Sequence, residues 1–289
     1  TPEFDSRTSL QLTVPADGGT PVVDVDSLWS VGDVAAAKRL LPESFIKPAL
    51  YRWLNTAVVS GSMSDGTLRL LGPLDKFPFD DGEGEFIVSA RMEDATLAYA
   101  PDWPAASIRS VDVNLDGMRL FTERNNAVTA GNRTSDANVE IADLREPVLT
   151  IDAVTTGTLE SIRQFGLRSP IAKVFAGRLE SVRVDGEASF DLELTYPILA
   201  RENYEFTARI RPDGGKVELL GFPAPVTGLL GQVDITRDSI GSESLTGVFL
   251  GNPVAIDLQS AGEAAPDYSV IVRAEGRATN QNLIDELGA

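Results

Sequence analysis

The sequence predicts a mainly β protein with short helix pairs, in which a repeated, elongated, curled antiparallel-type β-sheet forms an apolar groove. Three observations carry that reading. Apolar and polar residues alternate with a period of two in many short segments, Asp-Gly pairs punctuate the chain, and a helix pair followed by a run of strands recurs after about 120 residues. That interval is far longer than the common solenoid periods.

Alternation is read at Leu10/Leu12/Val14, Phe86/Val88/Ala90, Val111/Val113/Leu115 and Leu149/Ile151, then at Phe190/Leu192/Leu194, Phe206/Ala208/Ile210, Val254/Ile256/Leu258 and Val270/Val272/Ala274. A period of two places each set on one face of a sheet. Asp112, Asn114, Asp191, Glu193, Arg209, Asp257 and Arg273 fall between them. One face is dry and the other wet, as antiparallel sheets permit. Asp65-Gly66, Asp81-Gly82, Asp116-Gly117, Asp185-Gly186 and Asp213-Gly214 suit tight hairpins, since both residue types tolerate positive φ.

Residues 32–42 and 47–57 predict a first helix pair. Leu50, Trp53, Leu54 and Ala57 share one face, and Pro48 fits a first turn. Residues 157–166 and 170–179 predict a second, with Leu159, Ile162 and Phe165 in a stripe and Pro170 opening the next helix. Gly32 pairs with Gly157, Pro48 with Pro170, Trp53 with Phe175, Gly61 with Gly186, Glu85-Phe86 with Glu205-Phe206, and Trp103-Pro104 with Phe222-Pro223. The expected division is 1–31 as the end of one unit, 32–156 as a full unit, 157–275 as a second unit, and 276–289 as the start of a third helix through Leu283, Ile284 and Leu287.

Composition narrows the function classes. With 43 acidic and 25 basic residues, the chain's net charge of −18 repels phosphate backbones and anionic head groups, which argues against nucleic-acid partners. The absence of Cys and His excludes disulfides, thiolate chemistry, His-dependent triads and His-ligated zinc within this chain. No run of 18 apolar residues exists, so no transmembrane segment is expected in this stretch. Thr1-Pro2-Glu3-Phe4 has no signal-peptide pattern, and the chain reads as a piece of something longer.

Four features invite a chemical reading. Asp112-Val-Asn114-Leu-Asp116-Gly117, followed by Glu123, has the spacing of a calcium loop, but strand alternation runs through it and no flanking helices are expected. A hairpin turning at Asp116-Gly117 is the expectation. The acidic run from Asp80 to Glu85 reads as a solvated loop, and the sequon Asn132-Arg133-Thr134 as an exposed one. Trp53 and Phe175 read as glue between helix and sheet. No cofactor or metal is expected.

The groove follows from an imbalance. Two short helices cannot cover the dry face of six to eight strands, because a helix covers only about one strand pair's width of roughly 10 Å. The sheet then curls over itself or leaves an apolar trough. Such a trough suits acyl chains. A structural module binding envelope protein partners along a sheet edge and a carboxylate-dependent hydrolase are the alternatives.

The run Gly66-Thr-Leu-Arg-Leu-Leu-Gly-Pro-Leu-Asp-Lys-Phe-Pro-Phe79, then Gly82-Glu-Gly-Glu-Phe86, Asp94-Ala-Thr-Leu-Ala-Tyr-Ala-Pro-Asp-Trp-Pro104 and Glu146-Pro-Val-Leu149, resembles the YhdP branch of the AsmA-like proteins across most of residues 20–280. The resemblance implies a non-enzymatic bridge in the Gram-negative envelope. Such a bridge is periplasmic, anchored to the inner membrane by a segment outside this chain, and passes phospholipids to the outer membrane along an apolar β-groove. Its partners would be phospholipid acyl chains and the flanking segments of the same longer protein. It implies a face rather than catalytic residues. The groove candidates are Phe86, Val88, Val111, Val113, Leu115, Val182, Val184, Phe190, Leu192, Leu194, Phe206, Ala208, Ile210, Val254, Ile256, Leu258, Val270 and Val272.

Overall fold

A computed structural model describes residues 4–38, 47–174, 178–222, 224–261 and 269–277. They form one 14-stranded antiparallel sheet in which every strand pairs with its neighbours in sequence. The strands are β1 (Phe4–Thr13), β2 (Val22–Val31), β3 (Val58–Pro73), β4 (Glu85–Leu97), β5 (Ala106–Asp116), β6 (Arg119–Thr129) and β7 (Asn132–Ile141), then β8 (Val148–Thr158), β9 (Val182–Pro197), β10 (Glu205–Leu219), β11 (Val226–Thr236), β12 (Ile240–Phe249), β13 (Asn252–Ala261) and β14 (Ser269–Gly276). Short helices interrupt this meander after β2 and after β8. They are α1 (Val34–Ala37) and α2 (Pro48–Ala57), then α3 (Leu159–Leu167) and α4 (Ile171–Val174).

The described helical residues overlap the expected pairs. Helix α1 is a single turn capped by the Asp33 carboxylate, which accepts from the Ala35 and Ala36 amides, and residues 39–46 lie outside the described residues. Helix α2 starts at Pro48, whose missing N–H costs nothing in a first turn, and buries Leu50, Trp53 and Ala57. Helix α3 opens on a reciprocal cap between Thr158 and Ser161 and buries Leu159, Ile162 and Phe165. Pro170 then disfavours helical backbone at Ser169, and α4 begins directly after it. Phe175 and the segment 278–289 lie outside the described residues.

Two of the five Asp-Gly pairs sit in connections. Asp116-Gly117 turns the β5–β6 hairpin, and Asp81-Gly82 lies between β3 and β4. The other three fall inside strands. Asp65-Gly66 lies in β3, where the register shifts between Ser64 and Thr67, and Asp213-Gly214 lies in β10, where it shifts between Asp213 and Lys216 opposite Asp185-Gly186 of β9. Bulges demand the same positive φ as tight turns, which is why hairpins were the wrong expectation there. They allow β3 and β9 to run unbroken for 16 residues each, both ending in proline.

The sheet is curved. The Trp103 ring, between β4 and β5, lies 5.6 Å from that of Phe206 on β10. In a flat sheet β5 and β10 would stand about 24 Å apart. Arg145, between β7 and β8, likewise reaches Asp80, between β3 and β4, at 2.6 Å.

Candidate functional site

Cross-strand register gathers the alternating apolar residues into continuous rows. Ser27, Leu68, Val88, Leu115, Leu120, Ile141, Leu149 and Tyr196 are successive partners from β2 to β9. Val139, Ile151, Leu194 and Phe206 form a second row, and Leu192, Ala208, Ile235 and Ile240 a third. Leu245–Ile256–Ala274 and Leu258–Val272 carry the pattern to β14. Directly opposed residues share a face, so one apolar face extends across the sheet.

The opposite face is laced with ion pairs. Arg69 lies 2.9 Å from Asp26, Arg119 lies 2.7 Å from Glu140, and Arg211 lies 2.6 Å from Asp191. Each contributes little singly because solvent screens it. The calcium-like spacing belongs to this face. Asp112 is buried between Arg91, at 3.1 Å, and Arg124, while Asn114 accepts from the Ser89 hydroxyl at 2.9 Å. These oxygens already face cations or donors. Among the described residues no group of three or more acidic side chains is placed to hold a metal ion. An open polar hollow of about 520 Å³ includes Glu193, which is ion-paired with Arg209.

Helices and aromatic side chains cover part of the apolar face. Trp103 packs on Phe165 of α3 at 5.9 Å, and Phe165 on Phe190 of β9 at 5.2 Å. The Trp53 indole N–H donates to the Tyr99 carbonyl at 2.8 Å, which ties α2 to the same cluster. Burial in this cluster drives the Tyr99 phenol pKa above its ordinary range. Beneath α3 a cavity of about 120 Å³ remains, lined by Ile162, Phe165, Val184, Phe190 and Ile210 among other apolar groups. It falls short of the roughly 300 Å³ at which small-molecule pockets begin.

The 18 candidate residues therefore occupy three environments. Phe190, Leu192, Leu194, Phe206, Ala208, Val111 and Val254 are buried. Phe86, Val88, Val113, Leu115, Val182, Val184, Ile210, Ile256, Leu258 and Val270 are half-buried, and Val272 is exposed. The residues that sequence reasoning missed are those that do the covering, Tyr99 and Trp103. Asn132 departs most from expectation. It is 1% exposed, and its side-chain oxygen accepts from the Ser161 hydroxyl at 2.7 Å, pinning the start of α3 to the β6–β7 turn.

No helix among the described residues is long and apolar enough to cross a membrane. No solved structure matches the chain. The chain is similar to the intermembrane phospholipid transporter YhdP of Escherichia coli (strain K12), with 26% identity over 252 residues, which are 86% of this chain and 19% of that protein. The family model described as YhdP protein matches residues 2–289, and the chain belongs to that family.

Proposed function

We propose that this chain is a segment of a periplasmic lipid-transfer bridge whose apolar β-face conducts phospholipid acyl chains between inner and outer membrane. The observation that carries the reading is the continuity of the apolar rows, strand to strand, in a relative of a phospholipid transporter. An acyl chain needs an uninterrupted dry path and no reacting groups, so the segment works without catalysis. The half-buried residues Val88, Val113, Leu115, Ile256 and Leu258 form its accessible wall. Anchoring falls to parts of a longer protein, since this chain spans about a fifth of the relative's length.

The chain divides, in this reading, into units of six strands, each opened by a helical segment. β3 and β9 have equal lengths, as do β5 and β11, and β7 and β13.

Native mass spectrometry of protein purified without detergent should find bound phospholipid. Ile256→Glu places a charge on the accessible wall and should abolish occupancy while leaving the melting transition in place. Phe206 is unsuitable for this purpose, since it packs on Trp103 and Tyr204 and a charge there would unfold the cluster. A lipid-free wild type, or equal occupancy in Ile256→Glu, overturns the reading.

A further inference from the structure

We propose that the apolar cavity beneath α3 is a seat for the methyl end of a single unbranched acyl chain, which enters tail first between α3 and strands β9 to β11. The inference deepens the function proposed above and rests on that reading. The cavity measures about 120 Å³. An apolar cavity of about 150 Å³ takes up a six-carbon ring, so this one has room for roughly five carbons. That is too little for a phospholipid and enough for the end of one of its chains.

The lining distinguishes the two ends of such a chain. Ile162 and Phe165 of α3 form one wall, and Val184 and Phe190 of β9 with Ile210 of β10 form the other. Arg163 is the one charged group among the described lining residues. Its guanidinium is held by both oxygens of the Glu160 carboxylate, at 2.7 and 2.8 Å, and by the Leu179 carbonyl at 3.2 Å. A carboxylate or phosphate entering here would meet Glu160 as well as Arg163, and would shed its water against hydrocarbon at a high cost. A methyl group meets only surfaces that it favours. Helix α3 also withholds volume at this place, since Gly166 is buried and a Cβ there would stand 3.1 Å from Leu179. Ile235, which also lines the cavity, belongs to the row that runs from Leu192 through Ala208 to Ile240. A chain seated by its end therefore continues along the apolar face, and α3 marks a station on that path.

Isoleucine methyl signals of the full 289-residue chain, recorded by nuclear magnetic resonance, test the seat. A nitroxide near the methyl end of stearate, or of the same chain in a phosphatidylcholine, should erase the signals of Ile162, Ile210 and Ile235 relative to the reduced, diamagnetic probe. A nitroxide near the carboxyl end should leave them in place. Loss with both probes shows that the chain end alone is recognised, and loss with one of them supports the seat and names its source as fatty acid or phospholipid. No loss with the methyl-end label, or equal loss with the carboxyl-end label, overturns the proposal. Ile256 on the accessible wall separates this inference from the reading beneath it. If its signal is lost while those of Ile162, Ile210 and Ile235 persist, the seat is overturned and the lipid-bearing face stands. If no signal changes, both fail. Val184→Phe, which fills the cavity, supplies an independent arm. It should restore the Ile162 and Ile235 signals in the presence of the methyl-end label while the thermal midpoint holds, and an undiminished loss in that variant overturns the seat.

Discussion

At the scale of single residues, Asn132 is a structural pin set in an inconspicuous tripeptide. Its amide donates to the Thr129 carbonyl at 3.1 Å while its oxygen accepts from Ser161, and Gly157 leaves the space it fills, because a Cβ there would stand 2.3 Å from the Asn132 oxygen. Asn132→Ala strips these bonds from a buried site and should lower the unfolding free energy by about 1–3 kcal/mol, measured by urea denaturation. The sequon pattern is silent on burial, and the partners that bury Asn132 come 25 and 29 residues later, so the sequence alone offered no signal. Glu160, in the first turn of α3, behaves differently. Hydrogen bonds from Arg163 hold its carboxyl pKa below the ordinary value, against an opposing effect of burial, and Gln164 donates a further bond. A depressed folded pKa contributes stability above the unfolded value near 4.5, and that contribution is lost as pH falls through the folded value. Below the usual carboxylate range, wild type should lose more stability than Glu160→Gln, and parallel melting curves against pH for the two proteins would refute the assignment.

At the scale of elements, the long strands depend on glycine at their bulges. Gly61 and Gly186 hold φ of 134° and 110° near the starts of β3 and β9. A Cβ on Gly186 would meet the Gly215 Cα at 2.7 Å, a backbone atom that cannot rotate away. Gly186→Ala should therefore cost about 1–3 kcal/mol. Gly214, with φ of 72° and nothing within 4 Å of a Cβ, should cost less on the same substitution. Urea midpoints of the two variants give the comparison, and equal shifts would show that φ alone matters. Strand faces were legible wherever alternation was clean, as in β4, β5, β9 and β10. They were obscure in β7, whose Asn-Arg-Thr-Ser-Asp opening carries almost no apolar signal, and in β12, where Gly241, Ser242, Glu243 and Ser244 interrupt it. Those strands are held by their paired neighbours more than by their own composition.

At the scale of the whole molecule, alternation identified which residues share the apolar face but not which of them are covered. Phe190 and Ile256 look alike in sequence. Phe190 is buried because Phe165 packs on it, and the covering chain of rings continues to Trp103, 87 residues earlier. Curvature brings those parts together, and curvature comes from bulges whose Asp-Gly signature is shared with turns. Among the described residues, the same meander leaves β1 with a neighbour on only one side. Its ten residues are all exposed, with Leu10 at 67% and Leu12 at 52%, and it carries a single basic residue, Arg7. A long exposed edge with unpaired backbone groups is a template for a further strand. The isolated chain should therefore self-associate in a concentration-dependent manner through β1. Leu10→Lys with Leu12→Lys places charge on that edge without disturbing buried contacts, so the thermal midpoint should hold while the sedimentation-average mass falls toward that of one chain. If the double variant associates as strongly as wild type, pairing runs through another surface. If it also melts earlier, those leucines contribute to packing that their exposure denies.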